Sequence, residues 1–167
     1  MKKLFTTVVA LMCATTLFAQ TDVVATFSQG LANAKAGNFA EAIGQFQEVI
    51  DAGWDIEEPD ANQQKAIAGS KKFVVTCYNK LGIAAYNAKN FDEAIANFTE
   101  AANLAELYED VAAMNKNRAY VGQMYEAQGA EAFNSEDYAT AIAVFSKGYE
   151  ADPRNTTMAL NLAESYF

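Results

Sequence analysis

One pattern occurs three times in this chain, and a recurrence held in register constrains a fold more than any single motif does. Gly30 is followed by Ala42-Ile43 and Phe46, Gly82 by Ala94-Ile95 and Phe98, and Gly129 by Ala141-Ile142 and Phe145. The step from glycine to alanine is 12 residues in every copy. The fullest copy runs from Leu81 to Ala101. In it Leu81, Gly82 and Ala85 share one side of a 3.6-residue period, the period breaks at Lys89-Asn90, and Phe91, Ala94, Ile95, Phe98 and Ala101 resume it. Each copy is therefore expected to be a pair of short amphipathic helices that bury their stripes against each other. Gly82 is expected where its helix crosses the one carrying Ala94, since small residues let helix axes approach closely. Asn90 with Glu93 reads as a capping box for the second helix.

In chain order, the first pair is expected over Val23–Ala36, capped by Asp22, and Phe39–Ala52. A turn follows from Gly53 to Pro59. Glu57, Glu58 and Asp60 lack the alternating ligands and central glycine of a calcium loop, and Asp60 with Gln63 is read instead as a helix start. The helical pattern then runs to Ala88, with Gly69-Ser70 as the place for a kink. A helix Phe91–Leu107, a break at Tyr108-Glu109-Asp110 and a long helix from Val111 to Phe133 complete the middle of the chain. The inner stripe of the last is expected to hold Val111, Met114, Val121, Tyr125 and Gly129.

These residues resemble the tetratricopeptide repeat, whose helix-turn-helix unit carries small residues at its eighth and twentieth positions and aromatics near its seventeenth and twenty-fourth. Gly30, Gly82 and Gly129 fall on the eighth, and Ala42, Ala94 and Ala141 on the twentieth. Tyr78 and Tyr125 stand where the family often has Trp, and Asp152-Pro153 matches its closing proline. The resemblance implies an all-α fold, a right-handed superhelical α-solenoid, with repeats at about 22–53, 61–107 and 111–152 and a partial fourth at 155–167. The period departs from the family: successive alanines are 52 and 47 residues apart, against about 34. Leu160, Leu162, Tyr166 and Phe167 are apolar where a solenoid ends in a polar capping helix, which leaves a native end and a continuing chain both open.

Met1–Ala19 reads as a secretory signal, with Lys2-Lys3 ahead of an apolar run and Ala19 before the expected cut at Gln20. The run is too short, and too rich in threonine, for an uncleaved span. Met12 before Cys13 argues against lipid attachment. The mature domain, 20–167, is expected to be exported, to the periplasm first, or to the outer membrane or beyond. Losing Lys2 and Lys3 makes the chain more acidic than its net charge of −9. Nucleic acid is an unsuitable partner, because phosphate contacts need a basic stripe and Lys71, Lys72, Lys116 and Arg118 do not form one. Cys77 is expected to be a buried, inert thiol.

Nothing in the residues supports catalysis: there is no His, no phosphate loop, no cysteine pair for a metal, and no Ser-x-x-Lys at Ser70. No cofactor is expected, and the sequon Asn97-Phe98-Thr99 is spoiled by a core Phe98. What remains is a surface. The resemblance implies that first helices line a concave groove, which here would carry Phe27, Leu31 and Lys35, then Asn79, Ile83, Tyr86 and Asn87, then Glu126, Ala130, Phe133 and Asn134. The family's clamp for carboxyl termini is missing, since Asn79 with Ile83 and Glu126 with Ala130 replace its Lys and Asn. The groove is neutral and partly apolar, suited to an extended segment or a partner helix; the other reading of Tyr86 and Phe133 is that they pack between repeats. The expected function is a non-enzymatic scaffold or adaptor of the cell envelope that holds another protein. The alternatives are an accessory module of a larger envelope enzyme or transport component, and a glycan-binding module that stacks sugars on Tyr86 and Phe133.

Overall fold

A computed structural model describes residues 22–153 and 155–167. The expected leader Met1–Ala19 and its cut lie outside the described residues. Within them the fold is all-α, with seven helices and no strand: α1 Val23–Ala36, α2 Phe39–Trp54, α3 Ala61–Asn87, α4 Phe91–Leu107, α5 Val111–Asn134, α6 Tyr138–Ala151 and α7 Thr156–Glu164. Each helix packs on the next in sequence, and α1 also lies against α3 and α3 against α5.

Local chemistry sets the helix starts. The Asp22 carboxylate accepts from the Val24 and Ala25 N–H groups, and the Asp110, Asp137 and Asn155 side chains accept from the third residue on, satisfying donors that an α-helix leaves open at its N-terminus. Asp60 and Gln63 form the full capping box expected of them: the Gln63 N–H donates to Asp60 Oδ1 at 2.9 Å and the Asp60 N–H to Gln63 Oε1 at 2.9 Å. At Asn90 the box is only half made. The Glu93 N–H donates to Asn90 Oδ1, but the Glu93 carboxylate takes the Asn90 side-chain amide at 2.7 Å. The reason is the turn before it. Lys89 adopts φ 58°, a left-handed conformation that folds the Asn90 N–H back onto the Ala85 carbonyl at 2.9 Å, so Glu93 finds that donor occupied.

One further expectation is corrected. Helix α2 continues through Gly53 and Trp54, so the turn begins at Asp55; a Cβ at Gly53 would stand 2.8 Å from Ile67, and this close approach holds the last turn of α2 on α3. Helix α3 runs unbroken across Gly69-Ser70, where Gly69 makes room for the Phe27 ring.

Within each hairpin the recurring glycine meets the recurring phenylalanine, which stands on the same second helix as the recurring alanine. A Cβ on Gly30 would stand 2.6 Å from Phe46 and one on Gly82 2.8 Å from Phe98, and Gly129 lies in the same way against Phe145. All three rings are at most 2% exposed, so none has room to retreat. The apolar clusters link neighbours: Phe46, Ile50, Val74, Cys77 and Ala101 join α2, α3 and α4, while Ala85, Phe98 and Met124 join α3, α4 and α5. Phe145 and Met158 then join α6 to α7. Cys77 is buried as expected, and that burial pushes its thiol pKa up to about 11.

The inner stripe of α5 differs from expectation. Val111 is exposed, and Asn117 and Met124 are buried. Asn117 is tolerated inside because it is hydrogen-bonded on both sides, accepting from Asn79 Nδ2 at 2.7 Å and donating to the Ala113 carbonyl at 2.8 Å.

Candidate functional site

The eleven residues expected to line a groove fall into two groups. Phe27 and Leu31 are half-buried against the core. The Phe27 ring centroid is 5.9 Å from that of Phe46 and 6.1 Å from that of Phe73, and Leu31 packs on the core between α2 and α3. Asn79 is half-buried and its amide is committed to Asn117 across the α3–α5 contact. Glu126 and Ala130 are half-buried, as is Phe133, which leans edge-on against Tyr138 at 5.3 Å beside the Phe145 and Met158 cluster. Lys35, Ile83, Tyr86, Asn87 and Asn134 are exposed.

Tyr86 and Phe133 occupy equivalent places in their hairpins, yet they differ. Tyr86 is 44% exposed and touches Phe91 loosely, at 6.2 Å between centroids. Phe133 packs against the buried cluster of Ala141, Phe145 and Met158. Three of the exposed members are brought to one edge: the Lys89 ammonium reaches Glu131 at 3.5 Å, so the C-terminal ends of α3 and α5, with Tyr86, Asn87 and Asn134, are neighbours. Gln128 adds a bond to Asp92 at 3.0 Å along the same edge. The surface that results offers one open ring, one aliphatic side chain and carboxamides able to donate and accept. Among the described residues no group of three or more Cys, Asp or Glu is arranged to hold a metal ion, and no helix is long and apolar enough to cross a membrane.

A second concave feature escaped the sequence reading. Where α2 ends and α3 begins, a cavity of about 320 Å³ is walled by Ile50, Pro59, Ile67 and Ala68, with Trp54 and Lys71 at its rim. Trp54 is 78% exposed. The Lys71 ammonium sits 5.7 Å from the Trp54 ring centre and 5.4 Å from that of Tyr108, within reach of a cation–π attraction to both. Burial, then the carboxylates of Asp51 and Glu100, hold the Tyr108 hydroxyl above its ordinary range. The sequence signal for this site is the lone tryptophan beside an acid-rich turn, a signal that periodicity and turn chemistry do not distinguish from an ordinary connection. No family model matches the chain and no curated protein matches it, so both sites are read from their own residues.

Proposed function

We propose that the protein is a non-enzymatic scaffold or adaptor exported to the cell envelope. In this reading it is a right-handed superhelical array of tetratricopeptide-like hairpins that holds a segment of another protein along the face of its first helices. The observation that carries it is the neighbour relation of those helices: α1 lies against α3 and α3 against α5, while α2, α4 and α6 each close onto their own partner through a glycine and a phenylalanine. Stacked in this way, first helices share one face. Ile83, Tyr86 and Asn87 are the side chains open on it at the end of α3, and a ring with two rotatable angles gives a large contact area for little ordering cost. The absence of His, and of any phosphate-loop sequence, supports the non-enzymatic part.

The test separates binding from stability. Ile83→Ala with Tyr86→Ala is expected to leave helicity and melting temperature nearly unchanged, because both side chains are exposed, and to abolish retention of partners from an envelope extract. Phe133→Ala is expected instead to destabilise the domain, by part of the roughly 3–5 kcal/mol that truncating a fully buried phenylalanine costs. Equal partner profiles for the wild type and the stable double variant would refute the groove. Intact mass of the native protein tests export: a chain beginning at Gln20 is expected, and one retaining Met1–Ala19 would remove the envelope from the reading.

A further inference from the structure

The pocket between α2 and α3 stands apart from the groove. Ala68 on its wall and Tyr86 at the groove edge are separated along α3 by about 27 Å at a rise of about 1.5 Å per residue. Its walls are apolar and its volume is at the small end of ligand sites, which run from about 300 Å³ upward, so it is sized for one bulky side chain. Its surroundings are acidic. Between Lys35 and Lys65 the chain has seven carboxylates and no Lys or Arg. Three of these, Asp55, Glu57 and Glu58, are exposed on the turn that joins Trp54 to the wall residue Pro59, and neither ion pair among the described residues involves them. The one cation at the rim, Lys71, already lies against two rings. Its placement also demonstrates the chemistry: the Trp54 ring takes an ammonium group against it and still leaves most of its area open to solvent.

We propose that this pocket docks a basic segment of a partner protein, a stretch in which one bulky apolar side chain is flanked by Lys or Arg. The apolar side chain enters between Ile50, Pro59 and Ile67 and packs on Trp54, and the flanking cations meet Asp55, Glu57 and Glu58. Burying such a side chain supplies most of the affinity, and the carboxylates set which sequences are accepted and speed the encounter. An anionic ligand is disfavoured, because the exposed carboxylates of Asp55, Glu57 and Glu58 outnumber the ammonium of Lys71 beside the pocket. An exposed tryptophan ringed by charge is also the kind of residue on which binding energy concentrates. This site does not depend on the groove, and either can fail without the other.

Trp54 is the only tryptophan in the chain, so its emission reports on this pocket alone. The full chain is titrated with three acetylated and amidated peptides: Gly-Arg-Lys-Leu-Arg-Lys-Gly, the same peptide with Ser for Leu, and the same peptide with Glu for every base. The leucine peptide is expected to shift the emission saturably. The serine peptide should bind at least about tenfold more weakly, the loss that follows from leaving a leucine side chain unburied, and the glutamate peptide not at all. Asp55→Asn, Glu57→Gln and Glu58→Gln together should weaken the leucine peptide and flatten its salt dependence, while Tyr86→Ala should change nothing. Circular dichroism checks that each variant retains its helices. Equal binding of the serine peptide would reduce the site to unspecific charge attraction, tighter binding of the glutamate peptide would make it an anion site at Lys71, and no saturable change up to millimolar peptide would remove it. Each of these outcomes overturns the proposal.

Discussion

At Gly82 even a methyl group would stand 2.8 Å from the Phe98 ring, which is 2% exposed. Two effects of Gly82→Ala therefore oppose each other. Alanine improves helix propensity by about 1 kcal/mol, and overpacking a closed core costs about 1–3 kcal/mol. The ring cannot swing away, so overpacking is expected to win, and urea unfolding followed by circular dichroism should give a net destabilisation. A stabilised variant would mean that Phe98 has room the structure does not give it. The residue-level reading from sequence sets Gly82 at the crossing with the helix that carries Ala94, and leaves open that Phe98 of that helix is the ring that closes on it. Periodicity locates the face that Gly82 occupies, but not the level along the facing helix at which a side chain crosses. Phe98 reaches back over a turn to cover it, as side chains on a helix point toward its N-terminus.

The helical elements were legible where two signals coincide. Val23–Ala36 and Phe91–Leu107 were bounded in advance because a cap and a change of period fall at the same residues. The stripe of α5 was not, and the reason is mechanical. Along its length this helix packs first Ala113 and Met114 on one cluster, then Tyr120 and Val121 on a second, then Tyr125, Ala132 and Phe133 on a third. A contact line that drifts around the helix defeats any fixed period. The turns hid a second feature. Gly37, Lys89 and Glu136 occupy the same place in the three hairpins, with φ of 86°, 58° and 62°, and only the first residue type advertises it. Left-handed backbone costs an L-residue roughly 1–2 kcal/mol, and glycine gives back about 0.4–1 kcal/mol through the freedom of the unfolded chain. Glu136→Gly is thus expected to stabilise the protein, by up to about 1.6 kcal/mol on those figures, and Gly37→Ala to destabilise it. Thermal melts of the two variants would decide, and a neutral or destabilised Glu136→Gly would show that the turn needs its side chain.

On the scale of the whole molecule, every helix depends on its immediate neighbours, and α3 alone packs against α1, α2, α4 and α5. Stability should then fall off from the middle of the chain toward α7, which packs on α6 by way of Met158 and Leu162 and keeps Leu160 and Tyr166 exposed. Native-state hydrogen exchange is expected to give the slowest amides around Val74–Cys77 and the fastest helical ones in α7, in cooperative blocks. Uniform protection from α1 to α7 would contradict this gradient. The proposed groove is readable in the sequence as a register of positions, but which of those positions are open is not, because burial at Phe27 and Phe133 is decided by residues on other helices. The Gly82 and Phe98 pairing has one more consequence. Both partners, and both members of the pairs at Gly30 and Gly129, lie inside a single hairpin, so a duplicated hairpin arrives with its own fastening intact. The contacts between hairpins, Asn79 with Asn117 and Lys89 with Glu131, are separate residues that can diverge copy by copy. Lengthening such an array is a matter of inheritance inside each unit and renegotiation only at its borders.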